Sequence, residues 1–495
     1  GRWQIPIHGE SIKPIAAEPA RKALGENNVY ERVVITHLLT DSNDCTRIAG
    51  ATGFSVRDNK FYVFQAKTVI NACGGASNVF RPRSVNEGLG RTWYSVFDTG
   101  SAYGIMIPLG VEMTQMEHRF VPTRFKDGYG PVGMWFQYFH ARITNAFGED
   151  YTVTRADELK KYEPYGSAIP TPTPLRNHQM YLDIRAGLGP MFMRTEEAMQ
   201  KIAGNDPEKM NKVKEEAWED FLDMTISQAL TWAGQNITPE VDASEVVLAE
   251  PYIMGSHSGE AGAWVSGPED LAPPEYFWGY NKMTTIRGLF AAGDGVGAAP
   301  HKFSSGSFTE GRLAAKAAVN FLTDHTTMPK IDTSQIRERQ EAIWAPLQTF
   351  DQYKMASTSE EINPHYLTPK QGLARLQKIM DEYAGGVSSW LTTNGPTLER
   401  GIQLIEMLRE DLGHLAARDT HELMRCWELA HRTWVGEAHM RHMLHRKETR
   451  WPGYYYRADY PDLDDVNWRV FVNSRYDPNR DHWELNTKPY LKLFT

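Results

Sequence analysis

Cysteine is scarce: three occur in 495 residues, Cys45, Cys73 and Cys426. They are far apart and lack metal-like spacing, which excludes a disulfide framework and leaves too few thiolates for an iron–sulfur cluster on this chain alone. A reducing compartment, the cytoplasm, fits that usage. No run of 18 apolar residues is present, so a membrane-spanning helix is not expected. Positive charge is not in excess: the formal net charge is −9, which gives no electrostatic reason to expect nucleic acid or an anionic membrane as partner. Internal repeats and low-complexity stretches are absent. The first residues, "GRWQIPIHGESIKP", carry neither an initiator methionine nor a signal-like apolar core, and the chain is expected to begin inside a longer sequence.

What remains is an ordinary globular composition, 41% hydrophobic and 23% charged, in a chain long enough for two or three domains. Residues 29–75 read as strands and turns, ending in "KFYVFQAKTVINACGG". That apolar run, closed by Gly74 and Gly75, suits a buried strand whose end allows close approach to its backbone. From about 111 to 240 the chain turns to proline-bearing loops and a charged helical stretch, the pattern of an insertion. Strand–turn–helix patterning returns over 245–325. Residues 333–445 show 3.6-residue periodicity almost throughout, and the tail after 446 is aromatic and irregular.

Two glycine motifs invite a cofactor. The G-x-G-x-x-G at Gly128, Gly130 and Gly133 follows "TRFKD" rather than a strand and opens no evident helix, so it is read as a decoy. "GLFAAGDGVGAAPHKFSSGSFTEG" is more specific. A short apolar strand runs into a tight turn at Gly293-Asp294-Gly295, and Ser307 to Glu310 has the S-x-x-E spacing of a capping box. A helix starting there would aim unpaired amides at the turn and stabilise an electron-accepting group beside Gly306, Ser307 and Phe308. Asp294 either accepts hydrogen bonds from a ribityl hydroxyl or merely stabilises its turn; both readings stand.

Other candidates are weaker individually. His301 sits in the same loop, beside Lys302, which is read as solvated. "PYIMGSHSGEAG" brings His257, and "TPTPLRNHQ" brings Arg176 in a proline-stiffened loop, where a guanidinium could grip an oxyanion. Trp135 is either a flat face for flavin or adenine or a core aromatic. Histidines 431, 439, 442 and 445 lie at helical spacings, but no carboxylate or cysteine completes a metal site at a convincing offset. No metal is assigned.

"TVINACGGASNVF", "IRGLFAAGDGVGAAPHKFSSGSFTEGRLAAKAA" and "RKETRWPGYYYRADYPDLDDVNW" together resemble the flavoprotein subunits of the succinate dehydrogenase and fumarate reductase superfamily. Within it, "HGES", "RPRS", "HRFVPTRFKDGYGPVGMWF", "PTPLRNHQ", "PYIMGSHSGEAG" and "PHKFSSGSFTEG" resemble the alpha subunits of dissimilatory adenylylsulfate reductases, over the whole chain. The resemblance implies an α/β fold: an incomplete FAD-binding Rossmann-like domain lacking its G-x-G-x-x-G segment (1–110 and 245–325), an inserted capping or substrate domain (111–244), a helical domain (326–445) and a C-terminal extension (446–495). It implies non-covalent FAD held in part by Gly74, Gly75, Gly293, Asp294, Gly306, Ser307 and Phe308, and two-electron reduction of adenylylsulfate to AMP and sulfite, or the reverse.

Negative charge then develops on sulfonyl oxygens and a leaving phosphate, which calls for fixed cations. Arg176 is assigned to orient the sulfonyl group and His301 to bind oxyanion or manage protons, with Trp135 and His257 against the substrate. Electrons are implied to come from a ferredoxin-like beta subunit carrying two [4Fe-4S] clusters. Trp451, Tyr454 to Tyr456 and Trp468 are either its docking surface or a tail wrapped on its own domain. Two other readings are kept: a fumarate reductase, succinate dehydrogenase or L-aspartate oxidase, disfavoured because "HKFSSGSF" lacks the arginine of their substrate loop, and a flavin-free scaffold.

Overall fold

The computed structural model describes residues 9–82, 92, 94–128, 130, 132–133, 135, 139–224, 226–257, 259–299 and 302–491. They fall into two compact units, each described by itself: one within Gly1–Glu31, Pro82–Tyr94 and Val121–Ala249, the other within Arg32–Arg81, Ser95–Phe120 and Glu250–Thr495.

The first unit is built on a four-stranded antiparallel sheet, in the order Thr123–Phe125, Ser244–Leu248, Met191–Met193 and Ile143–Thr144. Helices Thr173–Arg185, Thr195–Ala203, Pro207–Met224 and Ile226–Gln235 complete it. The G-x-G-x-x-G glycines lie here, and their use is steric. A Cβ on Gly128 would come within 2.3 Å of Gln228 Oε1, and one on Gly130 within 2.7 Å of its Cγ. The missing side chains let Gln228 accept from the Gly130 amide at 3.0 Å.

The second unit carries an antiparallel meander, Val33–Asp41, Asp44–Ser55 and Phe61–Gln65. A short parallel pair, Val69–Asn71 with Leu289–Ala291, joins sequence-distant β and βα segments in Rossmann fashion. The run expected as one strand up to Gly74 is therefore broken after Gln65. Helices Thr333–Tyr353, Pro369–Tyr383, Gly395–Asp411 and Thr420–His445 account for the periodic stretch. The last of these is buried along most of its length, including Cys426, Val435 and Met440. A helix so enclosed sits in the middle of a core, and its buried polar side chains, Glu428, His431, Arg432, Glu437, His439 and His442 among them, need partners there.

The tail is more regular than its composition suggests. Val470–Asp477 and His482–Pro489 form a hairpin that extends a sheet already containing Met113–Thr114 and Gly262–Ala263. Turn residues "DPNRD" between alternating strands were the available signal. Tyr454 and Tyr455 are fully buried within this unit, so they are removed from the expected docking surface. The reading of a tail wrapped on its own domain accounts for them.

Candidate functional site

In the second unit four segments converge around the Gly293–Gly295 turn. The strand Leu289–Ala291 delivers the turn, and its parallel neighbour ends three residues before Gly74. Gly74 and Gly293 hold left-handed φ of 79° and 68°, conformations that glycine adopts without steric cost. A Cβ on Gly75 would lie 2.7 Å from that of Met254, so the strand end rests directly on the 254–262 loop.

That loop is hydrogen-bonded to the turn: the Gly255 amide donates to Asp294 O at 3.0 Å, and Tyr103 donates to the same carbonyl at 2.5 Å. His257 is half-buried, with its ring edge-on to Phe303 at 4.5 Å. Burial holds the neighbouring Glu260 carboxyl above its ordinary value, although Gln115 donates to it at 3.0 Å. His257, Ala298 and Phe303 all have left-handed φ, between 48° and 55°. For bulky residues this costs on the order of 1–3 kcal/mol each, and such strain gathers at ligand clamps.

Gly255 sits where a methyl group does not fit. A Cβ there would lie 2.1 Å from Val296 O and 3.0 Å from Lys302 Nζ. Gly255→Ala is expected to destabilise the protein by about 1–3 kcal/mol through forced separation of loop and turn; an unchanged melting temperature would refute this packing.

The helix reads differently from its sequence. It spans Phe303–Asp324, with Lys302 as N-cap residue and no side-chain cap. Ser307 is thus inside the helix, and the expected capping box does not form. Glu310 instead reaches back to accept from the Gly293 amide at 2.9 Å and from Lys282 at 2.7 Å. The uncapped first turn, with exposed Phe303 and Phe308 beside it, leaves helix amides to be satisfied from outside the helix. Ser307 faces the turn, since a Cβ on Gly293 would be 3.6 Å from its Oγ, whereas Gly306 packs on the Lys302 side chain and its amide donates to Lys302 O at 2.6 Å.

Lys302 was missed. It is only 5% exposed, and its ammonium donates to Gly293 O and Val296 O, both at 2.6 Å, with Glu310 at 3.5 Å. Burial pulls its pKa down to about 8 against the opposing pull of Glu310.

His301 lies outside the described residues. Arg176 and Trp135 belong to the first unit. Arg176 is not in a loop: it occupies the first turn of the helix Thr173–Arg185, whose start is set by Pro174. The residues after it are fixed. Asn177 is buried and bonds Val121 O at 2.7 Å, and His178 packs edge-on to Tyr162, with burial lowering its pKa to about 4. Trp135 is buried, its ring 4.7 Å from that of Phe139.

The four histidines of the long helix serve the core. His442 Nδ1 lies 3.2 Å from the Met116 amide nitrogen and 3.1 Å from a Glu117 carboxylate oxygen, and its Nε2 lies 2.7 Å from Ser474 Oγ. His439 bonds Met116 O, His431 bonds Ser101, and His445 meets Trp468 edge-on.

The alpha subunit of adenylylsulfate reductase from Megalodesulfovibrio gigas is 48% identical over all of this chain and 76% of its own length. The chain belongs to the adenylylsulfate reductase alpha-subunit family. The structure of the Archaeoglobus fulgidus adenylylsulfate reductase matches with a TM-score of 0.98 at 59% identity, over the whole of this chain and 77% of that one. A structure of adenosine-5-phosphosulfate reductase in complex with sulfite as a covalent adduct matches equally well, with the same coverage. Residues 373–491 match the fumarate reductase flavoprotein C-terminal family.

Membership in this flavoprotein family implies FAD, and the residues present fit it. The left-handed glycine turn, with no Cβ to crowd a ligand, and the uncapped helix start suit a group that gains negative charge on reduction. No helix of the described residues is long and apolar enough to cross a membrane.

Proposed function

We propose that this chain is the flavin-bearing subunit of an adenylylsulfate reductase, interconverting adenylylsulfate plus two electrons with AMP and sulfite. The observation that carries the reading is the full-chain match to adenylylsulfate reductase alpha subunits, one of them holding sulfite covalently. FAD supplies the two electrons when bound.

The chain's own residues do the rest. Gly74 and Gly293, both with left-handed φ, keep backbone accessible, and Gly75, packed on Met254, fixes the strand end beside them. Asp294 accepts from hydroxyls of the ribityl chain, and the positive end of the helix that starts at Phe303, one turn ahead of the Gly306, Ser307 and Phe308 amides expected for this role, stabilises charge on the reduced ring. Arg176 orients the sulfonyl group, where a planar fork offers two parallel hydrogen bonds to an oxyanion. His301 binds oxyanion or moves a proton. His257, held edge-on by Phe303, and Trp135 are proposed against the nucleotide.

The electron donor is proposed to be a ferredoxin-like beta subunit with two [4Fe-4S] clusters, because Cys45, Cys73 and Cys426 are too few for a cluster here. The assembly is placed in the cytoplasm, which cell fractionation checks.

The test is AMP-dependent oxidation of sulfite to adenylylsulfate by the purified flavin-loaded protein with an added one-electron acceptor, measured beside fumarate reduction. Sulfite oxidation that requires AMP, without fumarate turnover, is expected. Turnover of fumarate alone rejects the assignment, and a colourless protein that takes up no FAD returns it to a scaffold.

A further inference from the structure

The charge of Lys302 contradicts local preference. A helix start already carries partial positive charge and favours acidic residues, yet here a lysine is the N-cap residue and its ammonium is buried. Burying a cation is costly unless its hydrogen bonds are met, and two of its three donors go to carbonyls of the Gly293–Val296 turn. Glu310 compensates only in part, being shared with Lys282 and the Gly293 amide. Local rules broken at such a cost mark functional places.

We infer that Lys302 is a positioning residue for the flavin, tying the Asp294 turn to the helix start and adding a fixed positive charge to that amide end. The proposal rests on the flavin reading above. The turn's carbonyls are consumed internally: Gly293 O and Val296 O by Lys302, Asp294 O by Tyr103 and Gly255. Its shape is therefore set by this network, and Lys302 is the member that also carries charge. At pH 7 the ammonium stays protonated, and with a pKa near 8 it discharges in mildly alkaline solution. The charged groups acting on it are Glu310 on the same helix, Lys282 ahead of the strand Leu289–Ala291, and Asp294 on the turn.

The experiment compares wild type with Lys302→Met, which removes charge and donors, and Lys302→Gln, which keeps donors without charge. FAD dissociation constants from pH 7 to 10, and the midpoint potential of the bound flavin, are the readouts. Wild type is expected to bind FAD progressively more weakly above pH 8. Lys302→Met is expected to bind at least tenfold more weakly at pH 7, and both variants to have a flat pH profile and a more negative potential. A merely structural lysine would lower thermal stability without moving potential or pH profile. Variants matching wild type in affinity, potential and pH profile overturn this proposal while leaving the flavin reading intact. A wild-type protein that binds no FAD overturns both. Should Lys302→Met fail to fold, Lys302→Gln decides on the same readouts.

Discussion

Arg176→Ala is expected to lower kcat/KM for adenylylsulfate by about 100- to 1000-fold, the usual loss when one fixed donor to developing oxyanion charge is removed. Arg176 sits in the first turn of a helix beginning at Thr173, where a cation and unpaired amides add their positive potential. The residues that follow it are buried and bonded within their own unit, Asn177 to Val121 and Gln179 to Arg155 O at 3.1 Å. The backbone bearing the guanidinium is therefore fixed independently of substrate, and loss of the side chain should leave the fold in place.

The loss should fall on kcat as well as KM if the guanidinium acts on charge that grows in the reaction. Arg176→Lys keeps the charge but not the planar fork and is expected to recover only part of the activity. The flavin absorbance spectrum should not change. Full activity of Arg176→Ala, or bleaching of the flavin without a change in turnover of the remaining holoenzyme, would remove Arg176 from its role.

Arg446→Met is expected to destabilise the second unit by about 3–5 kcal/mol, the cost of stranding a buried charge. Arg446 is fully buried between Glu117 at 2.7 Å and Glu448 at 2.8 Å, and also donates to Gln115 Oε1, Trp468 O and Val470 O. Methionine would fill much of the volume and leave Glu117 without its guanidinium. The measurement is the melting temperature of the flavin-loaded protein; a fall of no more than a degree would contradict the network's role.

The same network sets an acid limit. Burial alone would raise the Glu117 carboxyl, but Arg446 and His442 hold it down at about 2, against an ordinary 4.5. A carboxylate depressed in the folded state binds fewer protons than in the unfolded chain, so its contribution is complete above 4.5 and is lost as pH falls through 2. Glu117→Gln should flatten that part of the acid-unfolding curve.

The catalytic-looking stretch was legible because its chemistry is local. An apolar triplet followed by Gly-Asp-Gly announces a strand and turn, and the structure places Leu289–Ala291 and Gly293–Gly295 there. The capping box at Ser307 failed for a non-local reason. The helix gains a turn upstream because Lys302 is anchored by carbonyls nine and six residues before it, and Glu310, free of a capping duty, is drawn to Lys282 and Gly293. Sequence spacing has no access to such burial, so a lysine that looks solvated cannot be told from one that is enclosed. Arg176 was placed in a loop although Pro174 is also a helix-start signal; four alternating Thr and Pro residues masked it. For Tyr454 and Tyr455 both readings, docking surface or wrapped tail, stay open in the sequence because an aromatic-rich segment has the same composition whether it meets a partner or its own core.

The strand Met113–Thr114 lies between Gly262–Ala263 and Val470–Asp477 in its sheet. During synthesis it can therefore be flanked on one side once residue 263 has emerged, but its other edge stays open until residues 473 and 474 have followed. The ladder next to the His257 loop is closed by Asn473 and Ser474, so a nascent polypeptide would carry that loop on an unfinished sheet, with an exposed edge to be shielded until those residues arrive.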